Sequence, residues 1–241
     1  MQQSTNSCAG LKHGAGTIID NDMNYHTEDY HPPTLVVDAV IFYIEDFTKL
    51  KVLLIKRANE PFKGSFALPG AYANRGKTTL ESTSDMLSIK AGIDAVAIPY
   101  IEQIHAFDTV ARDPRGHAVS ICYMGLGYNL DSKVKLSANT HNPQFFDING
   151  LPDLAYDHKD IIGYAYNRLA SEIFYTDIVK YLLPLEFTFA ELQNSYQAIL
   201  GKDLDKRNFR KKINSLNIVE ETNTTRKEGA HRPAKLFKFI A

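Results

Sequence analysis

Apolar and polar positions change period several times along the chain, and each change predicts an element. Thr34–Ile44 is a nearly unbroken apolar, β-branched run, and Val52–Ile55 is a second. Separated only by an acidic turn at Glu45-Asp46, the two predict a hairpin. A helix is expected over about Thr79–Ala91, then strands over Ala97–Phe107 and Ala118–Tyr128, with a short strand at Phe145–Ile148. From Asp157-His158 a helical period runs to just before Pro184, as one long helix or two stacked ones. Residues 1–29 show little periodicity and read as an arm.

The last quarter has a different texture. Thr188-Phe189-Ala190-Glu191 has the form of a capping box, and Leu192, Tyr196 and Ile199 continue a helix that stops at Gly201. A second helix beginning at Asp203 or Leu204 carries Phe209, Ile213 and Leu216 inside, and Lys206, Arg207, Arg210, Lys211 and Asn214 outside. Two helices across a short Gly-containing turn, the second basic on its outer face, describe a helix-turn-helix. Ile218–Thr222 and Lys235–Ile240 then form a wing around a basic loop holding His231 and Arg232.

Charge sharpens this division. The net charge is only −1, yet residues 201–241 carry eleven Lys and Arg against five Asp and Glu, whereas residues 1–200 are acidic. A basic module on an acidic body points to a polyanionic partner for the module. Lys206, Arg207, Asn208, Arg210, Lys211, His231, Arg232 and Lys235 are the candidate DNA contacts. Two cysteines, Cys8 and Cys122, offer neither a disulfide framework nor a metal spacing. No run approaches a membrane span, so no membrane partner is expected, and a cytoplasmic location is the default.

The body contains two phosphate-suited features. Lys56-Arg57 closes the second strand, either as a solvated strand end or as a clamp, since a guanidinium offers two parallel donors to phosphate oxygens. The segment Arg112-Asp113-Pro114-Arg115-Gly116-His117 is a Pro-Gly turn by composition. Between these features lies Gly64–Asp94, which reads as strand, Gly turn, loop and helix.

This stretch resembles a Nudix box. Registered from Ala71, the closing Gly-apolar pair falls on Gly92 and Ile93, and the apolar position on Leu87. Lys77 and Asp85 stand where the first Glu and the Arg belong, and Met86, Ile89 and Lys90 replace the three carboxylates that mount Mg²⁺ on one helical face. Glu81 and Asp85 read as solvated surface. The resemblance therefore implies no metal, no cofactor and no catalytic residue, with Lys77 and Lys90 as possible counter-charges. It also likens the Arg112–His117 segment to the loop by which Nudix proteins acting on ADP-ribose approach their ligand. Arg57, Arg112, Asp113, Arg115, His117 and the turn Gly70, Ala71, Tyr72 become the candidate ligand contacts.

Taken whole, the chain from about residue 30 onward resembles the Nudix-related transcriptional regulators of the NrtR family. The expected fold is α+β: an arm (1–29), a Nudix-like α/β/α sandwich with a mixed sheet (30–183), and a winged helix-turn-helix (184–241). The resemblance implies a homodimeric repressor of NAD-metabolism genes that binds a palindromic double-stranded operator and releases it on binding ADP-ribose, with a pivot around Tyr181–Glu186. An active hydrolase of ADP-ribose or a related nucleotide and a sugar-responsive regulator of the same architecture are the alternatives.

Overall fold

The computed structural model describes residues 32–134, 142–227 and 233–240. Seven strands form one mixed sheet: β1 (Thr34–Glu45), β2 (Lys49–Lys56), β3 (Phe66–Ala67), β4 (Gly70–Tyr72), β5 (Tyr100–Phe107), β6 (Ala118–Leu126) and β7 (Gln144–Asp147). The path runs β3-β2-β1-β6-β5, with β4 paired to β1 and β7 to β2. β1 lies parallel to β6 and antiparallel to β2 and β4.

The unbroken apolar run of β1 follows from its central place, because a strand covered on both faces has no polar side to alternate with. Val40, Phe42 and Ile44 face one core, together with Ile161, Ile162 and Leu169 of α2 (His158–Glu172). Ala39, Ile41 and Tyr43 face the other, with Met86, Leu87 and Ala91 of α1 (Thr79–Ala91). This is the α/β/α sandwich expected of the resemblance.

Two expectations shift. The strand expected from Ala97 begins at Tyr100, because Ala95–Ala97 closes a 3-10 turn and Pro99 has no N–H for a ladder. The helical stretch before Pro184 is one α-helix and a short 3-10 segment, Ile178–Leu182. Between them the Thr176 hydroxyl donates to the Glu172 carbonyl and accepts from the Ile178 N–H, so the backbone bonds of a continuing helix are diverted.

After the link at Pro184–Glu186 come β8 (Phe187–Thr188), α3 (Phe189–Leu200), α4 (Lys206–Leu216), β9 (Val219–Arg226) and β10 (Ala234–Phe239). β8, β10 and β9 form the second sheet. The Thr188–Glu191 capping box is present, and Gly201 ends α3 at φ 63°. α4 starts later than expected, with Asp205 accepting from the Asn208 N–H, because the Leu204 backbone is held by Gln193 and Gln197. Phe187, Leu192, Tyr196, Ile199, Phe209 and Ile213 continue the core of β1, β2 and α2. The described residues from Pro33 onward accordingly form one compact unit. No helix among the described residues is long and apolar enough to cross a membrane.

Candidate functional site

The ends of β1 and β2, the β4 turn and the Arg112–Arg115 loop surround a cavity of about 410 Å³. Its lining includes Asp38, Arg57, Gly70, Ala71, Tyr72, Lys90, Arg112, Asp113, Arg115, Tyr156 and His158. Seven of the eight sequence-nominated ligand contacts therefore line one cavity. The eighth, His117, is exposed just before β6, where its carbonyl accepts from the Thr34 N–H, and it is not part of the lining.

The cations differ in what already holds them. Arg112 is 7% exposed and donates two bonds to Asp157, at 2.9 and 2.8 Å, and a third to Asp38 at 3.3 Å. Burial opposes its charge, but these carboxylates hold its pKa above the ordinary range. Its fork is thus spent inside the protein, and it forms the floor of the cavity. Arg115 is clamped bidentately by Asp113 and also donates to the hydroxyls of Tyr72 and Tyr156. Bonding from Arg115 keeps the Asp113 carboxyl below its usual range. The Arg57 guanidinium donates to the carbonyls of Pro61 and Asn59 and lies 4.8 Å over the Tyr156 ring.

Beneath the cavity, Asp38 accepts from Ser120 at 2.6 Å. The His158 Nδ1 accepts the Leu68 N–H at 2.8 Å, and its Nε2 faces Asp38 at 3.7 Å. Burial lowers the His158 pKa, so the ring is neutral. Gly70 has no alternative here, since a Cβ on it would lie 2.0 Å from Asp38 Oδ1. The β4 ladder narrows the backbone donors. Bonds from Ala39 N–H to Pro69 and from Ala73 N–H to Leu35, with Val37 opposite Ala71, place Ala71 at a bonded position. Gly70 and Tyr72 are left with N–H groups directed away from β1.

Sequence reasoning passed over Asp157 and His158 as the opening of a helix, and gave the preceding Tyr156 no role. Two polar residues directly before a buried apolar stripe were the available signal. Tyr156 also sits at φ 57°, which no local pattern announces.

The degenerate box is explained position by position. Met86 is buried at 3% exposure in the α1 core, Ile89 is 59% exposed, and Lys90 reaches the cavity. Glu81 is occupied by the Thr78 cap, and Asp85 pairs with Lys77 outside the cavity. Nudix Mg²⁺ needs oxygen ligands on this face. None of the three positions supplies one, so the donor set does not fit the ion. No metal-ligand cluster of His, Cys, Asp or Glu occurs among the described residues.

On the winged helix, Lys206, Arg207, Asn208, Arg210 and Lys211 lie exposed along α4 while Phe209 and Ile213 are buried. Lys212, not nominated from sequence, is exposed beside them. Arg210 lies 4.5 Å over the Phe189 ring, which fixes its direction. Lys235 pairs with Glu221 at 2.6 Å, so part of its charge is answered within the wing. His231 and Arg232 lie outside the described residues.

Comparison with known proteins accounts for both halves. Residues 179–239 match the NrtR DNA-binding winged helix domain. The chain is 35% identical over 218 residues to the ADPR responsive transcriptional repressor NtrR of Acinetobacter baylyi, covering 89% of this chain and 85% of that protein. It is 36% identical over 157 residues to an ADP-ribose pyrophosphatase of Methanocaldococcus jannaschii, covering 64% of this chain and 84% of that protein. Shewanella oneidensis NrtR, solved in complex with a 27mer DNA, superposes with a TM-score of 0.71 at 31% identity, covering 86% of this chain and 93% of that one. Its NUDIX domain in complex with ADP ribose superposes with a TM-score of 0.52 at 30% identity, covering 61% and 94%. Sandwich, winged helix and whole-chain similarity agree, and the chain belongs to the NrtR family of Nudix-related transcriptional regulators.

Proposed function

We propose that this chain is a repressor that binds a palindromic DNA operator as a homodimer and releases it when ADP-ribose enters the Nudix-like cavity. The genes it controls are those of NAD metabolism. The observation that carries the reading is the joining of a cation-lined cavity without metal carboxylates to a basic α4 through one hydrophobic core. The family's DNA-bound and ADP-ribose-bound structures support each half.

In this reading Arg57 and Arg115 face the diphosphate, assisted by the Gly70 and Tyr72 N–H groups. Arg112 shapes the floor, and Tyr156 offers a flat apolar face. Without carboxylates to hold a metal, no water is activated and the signal survives binding. The chain is a sensor and not an enzyme, and it needs no metal or other cofactor. For the effector to release DNA it must favour an arrangement that fits the operator poorly, because only differential affinity shifts an equilibrium. The link at Pro184–Glu186, beside the buried Leu182 and Leu183, is the pivot.

Fluorescence anisotropy at fixed salt, on a duplex selected in vitro against the full chain, tests the reading. ADP-ribose should weaken binding, Arg207→Ala should abolish it, and Arg115→Ala should leave DNA affinity intact while blunting the ADP-ribose response. Identical effects from both variants would sink the two-module account. The relationship to a pyrophosphatase keeps hydrolysis as a second reading, and metal-dependent release of AMP by purified protein would establish it. A thermal-shift response to monosaccharides in place of ADP-ribose would redirect the effector.

A further inference from the structure

The box offers two lysines in place of acids, and the structure separates them. Lys77 is paired with Asp85 on the outside of α1. Lys90, in the last turn of the same helix, enters the cavity, and its ammonium donates to the Gly70 carbonyl. An ammonium has three donors, and among the described residues Lys90 makes no ion pair. Of the four cations lining the cavity, Arg112 and Arg115 are clamped by carboxylates. The Arg57 guanidinium bonds to backbone carbonyls and, among the described residues, to no carboxylate. Two cations without carboxylate partners thus share one cavity, close enough that Arg57 disfavours the charge on Lys90.

We propose that Lys90 is the built-in replacement for the family's metal: its ammonium, opposite Arg57, receives the diphosphate of the ligand, so the protein recognises the metal-free nucleoside diphosphate. This rests on the ADP-ribose reading above. The position matters because Lys90 occupies a site where hydrolases mount a metal carboxylate. A lysine there brings the positive charge on the helix itself, and an ammonium, unlike a hydrated divalent cation, carries no water to activate. Burial already depresses the Lys90 pKa, with Arg57 adding to the effect and Asp38 opposing it. An arriving phosphate oxygen supplies Lys90 with a direct ionic partner, which none of the described residues provides.

Isothermal titration of the full chain with ADP-ribose, and separately with inorganic pyrophosphate, in EDTA and in Mg²⁺, reads this out. Equal affinity in the two buffers is expected. Lys90→Met should lose roughly tenfold to a hundredfold, the scale of one charge-assisted contact. Lys90→Arg should recover most of that loss, and Lys77→Met should bind as the parent does. Should Lys90→Met not fold, Lys90→Gln carries the same expectation. Undiminished binding by the Lys90 variants, or a parent that binds only with Mg²⁺, overturns the proposal while leaving ADP-ribose as effector. Lys90-dependent binding of pyrophosphate with none of ADP-ribose supports the lysine's role and overturns the effector.

Discussion

Arg112 and Arg115 stand three residues apart on one loop and end in different circumstances. Arg115 can release Asp113 at the cavity mouth, whereas Arg112 lies between two inward carboxylates, Asp38 and Asp157. Arg112→Ala should therefore behave as a stability variant, costing about 3–5 kcal/mol as an unanswered buried charge does, read as a lowered urea midpoint without ligand. His158 makes a prediction in pH. Unfolded, its ring takes a proton near the ordinary value of 6.5, whereas burial keeps it neutral to lower pH in the fold. Below about pH 6.5 the unfolded chain binds a proton that the folded chain refuses, so stability falls as pH drops and levels off below the folded pKa. In His158→Asn the amide oxygen can still accept the Leu68 N–H, and this part of the slope should vanish from urea midpoints taken across that range.

At the scale of elements, α3 is the joint. It packs on β2 and α2, and its Tyr196 is fully buried against Phe174 and Phe209, at ring distances of 5.6 and 5.0 Å. Among the described residues the Tyr196 hydroxyl has no hydrogen-bond partner, and an orphaned buried hydroxyl costs roughly 1–3 kcal/mol. Tyr196→Phe should accordingly raise the melting temperature. An unchanged or lower one would mean that the hydroxyl is satisfied in solution. The capping boxes at Thr78 and Thr188 show the opposite economy: each closes its donors within four residues, which is why such ends are readable locally. Only the second is anticipated from sequence, although Thr78-Thr79-Leu80-Glu81 carries the same pattern as Thr188–Glu191.

For the whole molecule, the decisive feature is that the α/β/α sandwich and the winged helix share one core. Differential scanning calorimetry should then show a single transition, where two resolved transitions would mean independent modules. Saturating ADP-ribose should move that transition as a unit, by about 2.7 kcal/mol at a hundred times Kd. A shared core also gives the proposed effector a physical route to α4, because a change felt by α2 is felt by the α3 packed on it.

What the sequence by itself determined is whatever closes within a few residues. The apolar run of β1, the cap at Thr188–Glu191, the basic outer face of α4 and the loss of carboxylates at Met86, Ile89 and Lys90 are all of this kind, because helix and strand periods repeat over short spans. What only the tertiary structure decided is which charges remain available. Arg112 meets Asp157 and Asp38 across 45 and 74 residues of chain, and Lys90 meets Gly70 across 20. His117 turns aside while Tyr156 turns in. Pairing between distant groups depends on chain closure, which no local pattern encodes. The three arginines of the cavity were therefore legible in advance, but not that Lys90 joins them while Lys77 stays outside, nor that Arg112 and Arg115 are already spent on carboxylates while Arg57 and Lys90 are left without one.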